Sequence, residues 1–218
     1  MLQMKANKSQ KMTKLNAIIL LALLIALQSC GNKEEANRTL GIIGNKDIIN
    51  GDTIYPSIPD FQFVNQLGDT ITNETFGNKA YVVDFFFTSC PTICPKVSNS
   101  MLTVQNAFID DDRLLLLAHS IDVKRDTVDR LFDYAEKLGA NHSKWHFVTG
   151  DKMAIYDIAD DYFSIAIENP EAPGGFDHSG RLILVDENRH VRSFCDGTNT
   201  DEVDRFIKDI EILLAEMN

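Results

Sequence analysis

The stretch Ala80–Val97, AYVVDFFFTSCPTICPKV, joins an almost uninterrupted apolar run to two cysteines one helical turn apart, each followed at once by proline. Ala80 to Phe87 has the continuous apolarity of a central strand covered on both faces. Val97, Met101, Val104 and Phe108 then recur at i, i+4, i+7 and i+11, which is one stripe of a helix. Pro91 suits a first helical turn, where its missing N–H costs nothing, so the helix is expected to begin near Cys90. Both thiols would then stand at a helix N-terminus, whose unpaired N–H groups and positive dipole end stabilise thiolate. Four residues apart on one helix face, Cys90 and Cys94 could close a disulfide or hold one soft ion.

A purely structural role fits this pair poorly. A disulfide across so short a loop restricts the unfolded chain little. A closed zinc site needs a second Cys/His pair at similar spacing, and the sequence has none. A third ligand candidate is His178 in GGFDHSGRLILVD, a Gly-rich loop running directly into a strand. Asp177 beside it could orient the imidazole. Two thiolates and an imidazole suit copper, because Cu(I) accepts low-coordinate thiolate binding and Cu(II) tolerates an S₂N set with an added oxygen. Without metal the same pair can cycle between dithiol and disulfide. His119, His142, His146 and His190 read as core or surface residues. Cys195 reads as a buried free thiol, a redox partner only if the fold brings it to the pair.

Outward from this stretch, helical and strand periods alternate. Phe61 and Phe63 flank Gln62 in a short strand, and Arg113 to Ile121 is a second buried strand. Asp126 can cap the helix that follows, with Val128, Leu131, Phe132, Ala135 and Leu138 inward and Gly139 as its stop. Trp145 to Val148 makes a third strand and Lys152 to Asp161 a short helix. Arg181 to Phe194 reads as a hairpin turning at Asp186 to Arg189, and the last amphipathic helix is entered through Thr200. The order specifies an α/β sandwich with a central mixed sheet flanked by helices, closed by a C-terminal β-hairpin and helix.

The N-terminus has the pattern of a leader. Lys5, Lys8, Lys11 and Lys14 precede an apolar run from Ala17 to Leu27 that is too short to span a bilayer. It ends in Leu27-Gln28-Ser29-Cys30, which resembles a bacterial lipobox with Cys30 as the lipidated residue. Residues 1–29 are therefore expected to be a lipoprotein signal peptide, 30–50 a polar, glycine-bearing tether, and 51–218 the folded domain. Translation from Met12 instead of Met1 would leave the same lipobox behind a shorter leader. The formal charge of the chain is −11; losing those four lysines with the leader leaves 17 basic against 32 acidic residues, or −15. So acidic a domain repels nucleic acid, and membrane attachment falls to the N-terminal lipid anchor.

Four segments, Asp84 to Pro95 (DFFFTSCPTICP), Ser120 to Thr127 (SIDVKRDT), Asp177 to Asp186 (DHSGRLILVD) and Asp196 to Val203 (DGTNTDEV), together resemble the Sco/SenC copper-chaperone family. The resemblance runs from Gly51 to the C-terminus. It implies a thioredoxin-like fold, with Cys90, Cys94 and His178 as copper ligands. It also implies maturation of the dinuclear copper centre of cytochrome c oxidase, through subunit II or another cuproprotein, by delivering copper or reducing the acceptor's cysteines. The setting would be extracytoplasmic, on a bacterial membrane. Asp84, Asp122 and Asp126 align with acidic positions of the family pattern and are expected to support the site, cap helices or dock a partner. Cys195 stands where the family carries an aromatic residue, and Gly180 where it carries threonine. The alternative reading is a membrane-anchored thiol-disulfide oxidoreductase using Cys90 and Cys94 as its redox pair.

Overall fold

In a computed structural model, which describes residues 38–217, the folded unit begins at Leu40. Cys30 and the leader lie outside the described residues. Residues 40–50, expected in the tether, belong to the folded body. Leu40 is buried and donates its N–H to Glu216 Oε1, and Ile43 N–H bonds Val191 O. The polar composition of this segment hides those few anchoring contacts.

The chain first forms a small hairpin, β1 (Asp47–Ile49) and β2 (Asp52–Ile54). The main sheet follows: β3 (Gln62–Asn65), β4 (Thr70–Thr72), β5 (Ala80–Phe86), β6 (Leu114–Ser120) and β7 (Trp145–Thr149), with helix α1 (Cys94–Ala107) after β5 and α2 (Val128–Leu138) after β6. Helix α3 (Lys152–Asp161) leads to a two-stranded ribbon, β8 (Ala166–Glu168) and β9 (Phe176–His178). The C-terminal hairpin β10 (Arg181–Val185) and β11 (Val191–Asp196) and helix α4 (Thr200–Glu216) close the fold. Sheet order is β11-β10-β5-β6-β7-β3-β4, with β5, β6 and β7 parallel and the flanking pairs antiparallel.

Every residue of β5 and β6 is buried, as their unbroken apolarity requires of strands covered on both faces. Alternation along β5 sorts the two sides. Phe86 points toward α2, its ring 5.3 Å from Tyr134 and 5.6 Å from Phe147. Phe85 points the other way and stacks on His119 at 4.9 Å, with Tyr162 beside both rings. His119 is thus a core histidine in an aromatic cage, and burial lowers its imidazole to about 3. Helix α1 lies against both α2 and α4.

Four local expectations change. Helix α1 starts at Cys94 with Pro95 in its first turn, so Cys90 sits in the bend before it. Thr127, and not Asp126, caps α2, its hydroxyl accepting the Arg130 N–H; Gly139 ends α2 at φ 78° as expected. Phe132, expected inward, is 39% exposed and stacks on the His142 ring at 5.2 Å, so α2 keeps a narrower apolar stripe. The helix α4 cap is Asn199, one residue before Thr200, accepting the N–H groups of Asp201 and Glu202.

Candidate metal centre

At the C-terminal end of β5 the chain turns through Thr88–Ile93, and Cys90 N–H bonds Phe87 O in the bend. Cys90 and Cys94 are both buried. His178 arrives from the end of β9, a strand the sequence reading took for loop. Its Nε2 lies 3.4 Å from Cys94 Sγ and 3.7 Å from Cys90 Sγ. The three ligand atoms fall within 4.8 Å of one another, and they form the sole such cluster among the described residues.

The two thiols differ sharply. Burial alone would raise Cys90, but His178, the N–H groups of Cys94 and Thr92 and the Thr92 hydroxyl outweigh it and bring the thiol down to about 6. Cys94 goes the other way: burial drives it well above the ordinary thiol range, the nearby Cys90 and Asp84 charges add to this, and the Phe87 N–H only partly offsets it. At neutral pH the pair is therefore one thiolate beside one retained proton. That is the charge state of an attacking sulfur with a resolving partner, and a soft cation entering the site would have to displace the Cys94 proton.

The His178 ring is held edge-on to Phe87, centroids 5.5 Å apart, and Phe87 also packs on Phe176 at 5.0 Å. Gly174 makes this closure feasible. It has φ +85°, and a Cβ there would sit 2.7 Å from a Phe87 ring carbon and 3.4 Å from Pro91. His178 Nδ1 is buried without a hydrogen-bond partner. If Nε2 offers its lone pair to a metal, the ring proton rests on that unpartnered Nδ1.

Of the acidic residues expected to support the site, each lands differently. Asp177 does not orient the imidazole: successive strand side chains point to opposite faces, and its Oδ2 instead accepts from Asn169 Nδ2 at 2.7 Å. Asp84 is fully buried on β5, with Oδ1 unpartnered and its carboxyl raised to about 7 by burial, so it cannot dock a partner. Asp122 organises a turn, its carbonyl accepting the N–H groups of Arg125 and Asp126 and its carboxylate the Arg125 guanidinium at 3.1 Å. Asp126 is buried and bonded to the cysteine loop: it accepts from Thr88 N–H, Thr88 Oγ1 and Ser120 Oγ, with Arg130 alongside. Its i, i+4 spacing to Arg130 was visible in the sequence; its partnership with Thr88 was not. Cys195 is a buried free thiol opposite Leu182 on the hairpin and lies outside the ligand cluster. Burial raises it to about 12, with Glu202 adding to the effect. Gly180 packs where a side chain would press on Thr198 and Val97, its Cβ position 3.2 and 3.3 Å from them.

The chain is similar to known proteins in sequence and in fold. The sequence profile described as SCO1/SenC matches residues 53–215. A SCO1 protein homolog of Bacillus subtilis is 25% identical over 162 residues, covering 73% of this chain and 84% of that protein. The crystal structure of a SCO1/SenC family lipoprotein from Bacillus anthracis superposes with a TM-score of 0.66 at 25% identity, covering 72% of this chain and 95% of that one. The copper-bound structure of Bradyrhizobium japonicum ScoI superposes with a TM-score of 0.58 at 23% identity, over 69% of this chain and 96% of that one, and speaks for the fold alone.

Proposed function

Because the chain belongs to the SCO1/SenC family, over a match that includes all three clustered side chains, we propose that it is a copper-carrying protein that helps mature the dinuclear copper site of cytochrome c oxidase. One copper is bound through Cys90, Cys94 and His178 and passed to subunit II or another cuproprotein. The observation that carries this reading is the convergence of His178 Nε2 on both sulfurs across more than eighty residues of sequence. The donor set of two thiolates and an imidazole holds either copper valence, which a pure Cu(I) trafficking site of thiolates alone does less well.

The chain's residues divide the work of uptake and release. Cys90, already ionised at neutral pH, is the first sulfur available to an incoming ion. Cys94 must give up its proton on binding, so affinity falls as pH drops. His178 rides on a short ribbon outside the main sheet, tied by the Ser179 N–H to Ile165 O and the Ser164–Ser179 hydroxyl contact. An acceptor could compete for the ion by displacing this ligand first.

Anaerobic copper titration of the reduced protein tests the reading. One equivalent should bind with thiolate-to-copper absorption in the Cu(II) form, and His178→Ala should weaken Cu(II) binding by more than the roughly 100-fold that losing an outer support of a ligand can cost. Unchanged affinity in that variant would reject the site as drawn.

The low thiol pKa of Cys90 favours a second activity, reduction of an acceptor's disulfide by the Cys90–Cys94 pair. Thiolate attack by Cys90 forms a mixed disulfide, and Cys94 resolves it, releasing the acceptor as dithiol and leaving a Cys90–Cys94 disulfide. His178→Ala separates the two readings by degree: it removes a copper ligand outright, whereas exchange keeps both sulfurs and loses only the part of the Cys90 thiolate that His178 supports.

The proposal includes attachment to the outer side of a bacterial membrane by a lipid on Cys30. Extraction from membranes and intact mass of the mature N-terminus test it.

A further inference from the structure

We infer that Asp126 is the positioning residue of the cysteine loop, setting where Cys90 stands relative to Cys94 and His178. The inference rests on the reading of those three side chains as the copper site, and it assigns Asp126 a role more specific than general support.

The Asp126 side chain is wholly buried. Its Oδ2 accepts the Thr88 N–H at 3.0 Å and the Ser120 hydroxyl at 2.6 Å, while Oδ1 accepts the Thr88 hydroxyl at 2.5 Å. Thr88 lies two residues before Cys90. It is gripped at main chain and side chain by one carboxylate, which fixes both the orientation of its peptide plane and its χ1. Arg130 completes the clamp, its Nε donating to Thr88 Oγ1 at 2.6 Å and lying 3.5 Å from Asp126 Oδ1. The clamp thus ties the bend leaving β5 to the end of β6, through Ser120, and to the first turn of α2, through Arg130.

Charge-assisted bonds of this kind are short and strong where water is excluded. Elsewhere the bend is held by the bond from Cys90 N–H to Phe87 O and by the Phe87 ring against Gly174, Phe176 and His178. Losing the carboxylate would leave the Thr88 N–H free to rotate away, and Cys90 would move with it. A sulfur that drifts even ~1 Å leaves the ligand set poorly matched to its ion.

The test uses the full-length chain in detergent, with three variants. Asp126→Asn keeps an oxygen for the Thr88 N–H but replaces the acceptor of the Thr88 hydroxyl with a donor. Thr88→Val removes that hydroxyl and leaves the N–H. Asp186→Asn breaks the ion pair with Arg192 at the far end of the β10–β11 hairpin and serves as a control for general destabilisation. Asp126→Asn and Thr88→Val should each weaken Cu(II) binding by about 10- to 100-fold, the range for groups that hold metal ligands. They should also shift and weaken the thiolate-to-copper absorption. In metal-free protein, the rate of iodoacetamide labelling of Cys90 should change several-fold, because the buried sulfur shifts with the loop. Asp186→Asn should melt at lower temperature with none of these changes.

If Asp126→Asn and Thr88→Val lower the melting temperature yet keep wild-type absorption, affinity and Cys90 labelling, Asp126 is a fold residue only and the inference falls. If wild-type protein binds no copper, the metal reading fails by itself, while the Cys90 labelling rates still decide whether the clamp positions the thiol.

Discussion

At the residue scale, the site shows how hydrogen bonds set apart two thiols that burial alone would raise together. Cys90 and Cys94 differ by four positions, yet one is held as thiolate and the other keeps its proton. The sequence made the pair conspicuous but could not rank its members, because the ranking depends on which sulfur meets His178 and the Thr92 and Cys94 N–H groups. Asp84 was likewise visible as an acid within an apolar strand, and only the fold reveals its depth. Burial raises its carboxyl to about 7, so the folded chain holds a proton that the unfolded chain releases near 3.8. Its stabilising contribution is complete below 3.8 and lost as pH rises through 7. His119 acts in the reverse sense: its imidazole falls from 6.5 to about 3, so its contribution is present above 6.5 and lost as pH falls toward 3. Asp84→Asn should therefore stabilise the protein more at pH 8 than at pH 5, by on the order of 3 kcal/mol at 1.36 per pKa unit. Urea unfolding at both pH values measures this. An equal effect at the two would mean that Asp84 does not titrate with folding.

At the element scale, the strand–helix–strand core was legible because its periods are strong: β5 and β6 are unbroken apolar runs, and α1 carries one clean stripe. Element starts were less legible. Proline is compatible with a first turn at either Cys90 or Cys94, and the helix starts at Cys94. The β8–β9 ribbon was missed since its strands are only three residues each and their pairing depends on a turn containing Gly174 and Gly175, both with positive φ. That ribbon delivers His178, so its packing governs where the proposed third ligand stands. Gly174→Ala should push it off Phe87 and weaken Cu(II) binding by about tenfold, in the range for loss of an outer support. The melting temperature should change little, because the ribbon stands outside the seven-stranded sheet. Copper titration and thermal melting of this variant check both parts, and wild-type affinity would show that the ribbon finds its place without this close approach.

At the scale of the whole molecule, the parts separate by end. The thiol bend and His178 gather where β5 and β6 finish, while Leu40 enters the fold beside Val191 and Glu216, at the start of β11 and the end of α4. The six residues of β11 run between these ends, about 20 Å of extended chain. The chain thus enters the folded body at the end away from the ligand cluster. Cys30→Ser should release the protein from membranes into the soluble fraction with its copper binding intact; membrane retention of that variant would remove the lipid anchor from the account. The domain's overall class followed from element order, and the family resemblance already joined residue 178 to residues 90 and 94; the distances at which they meet and the ribbon that carries His178 required the fold.

X-ray absorption at the copper edge of the singly loaded protein tests that meeting most directly. Two sulfur scatterers and an imidazole shell around the Cu(II) ion, with the imidazole shell lost in His178→Ala, are the predicted result. A copper shell of oxygen and nitrogen alone, or one unchanged by that substitution, would contradict it.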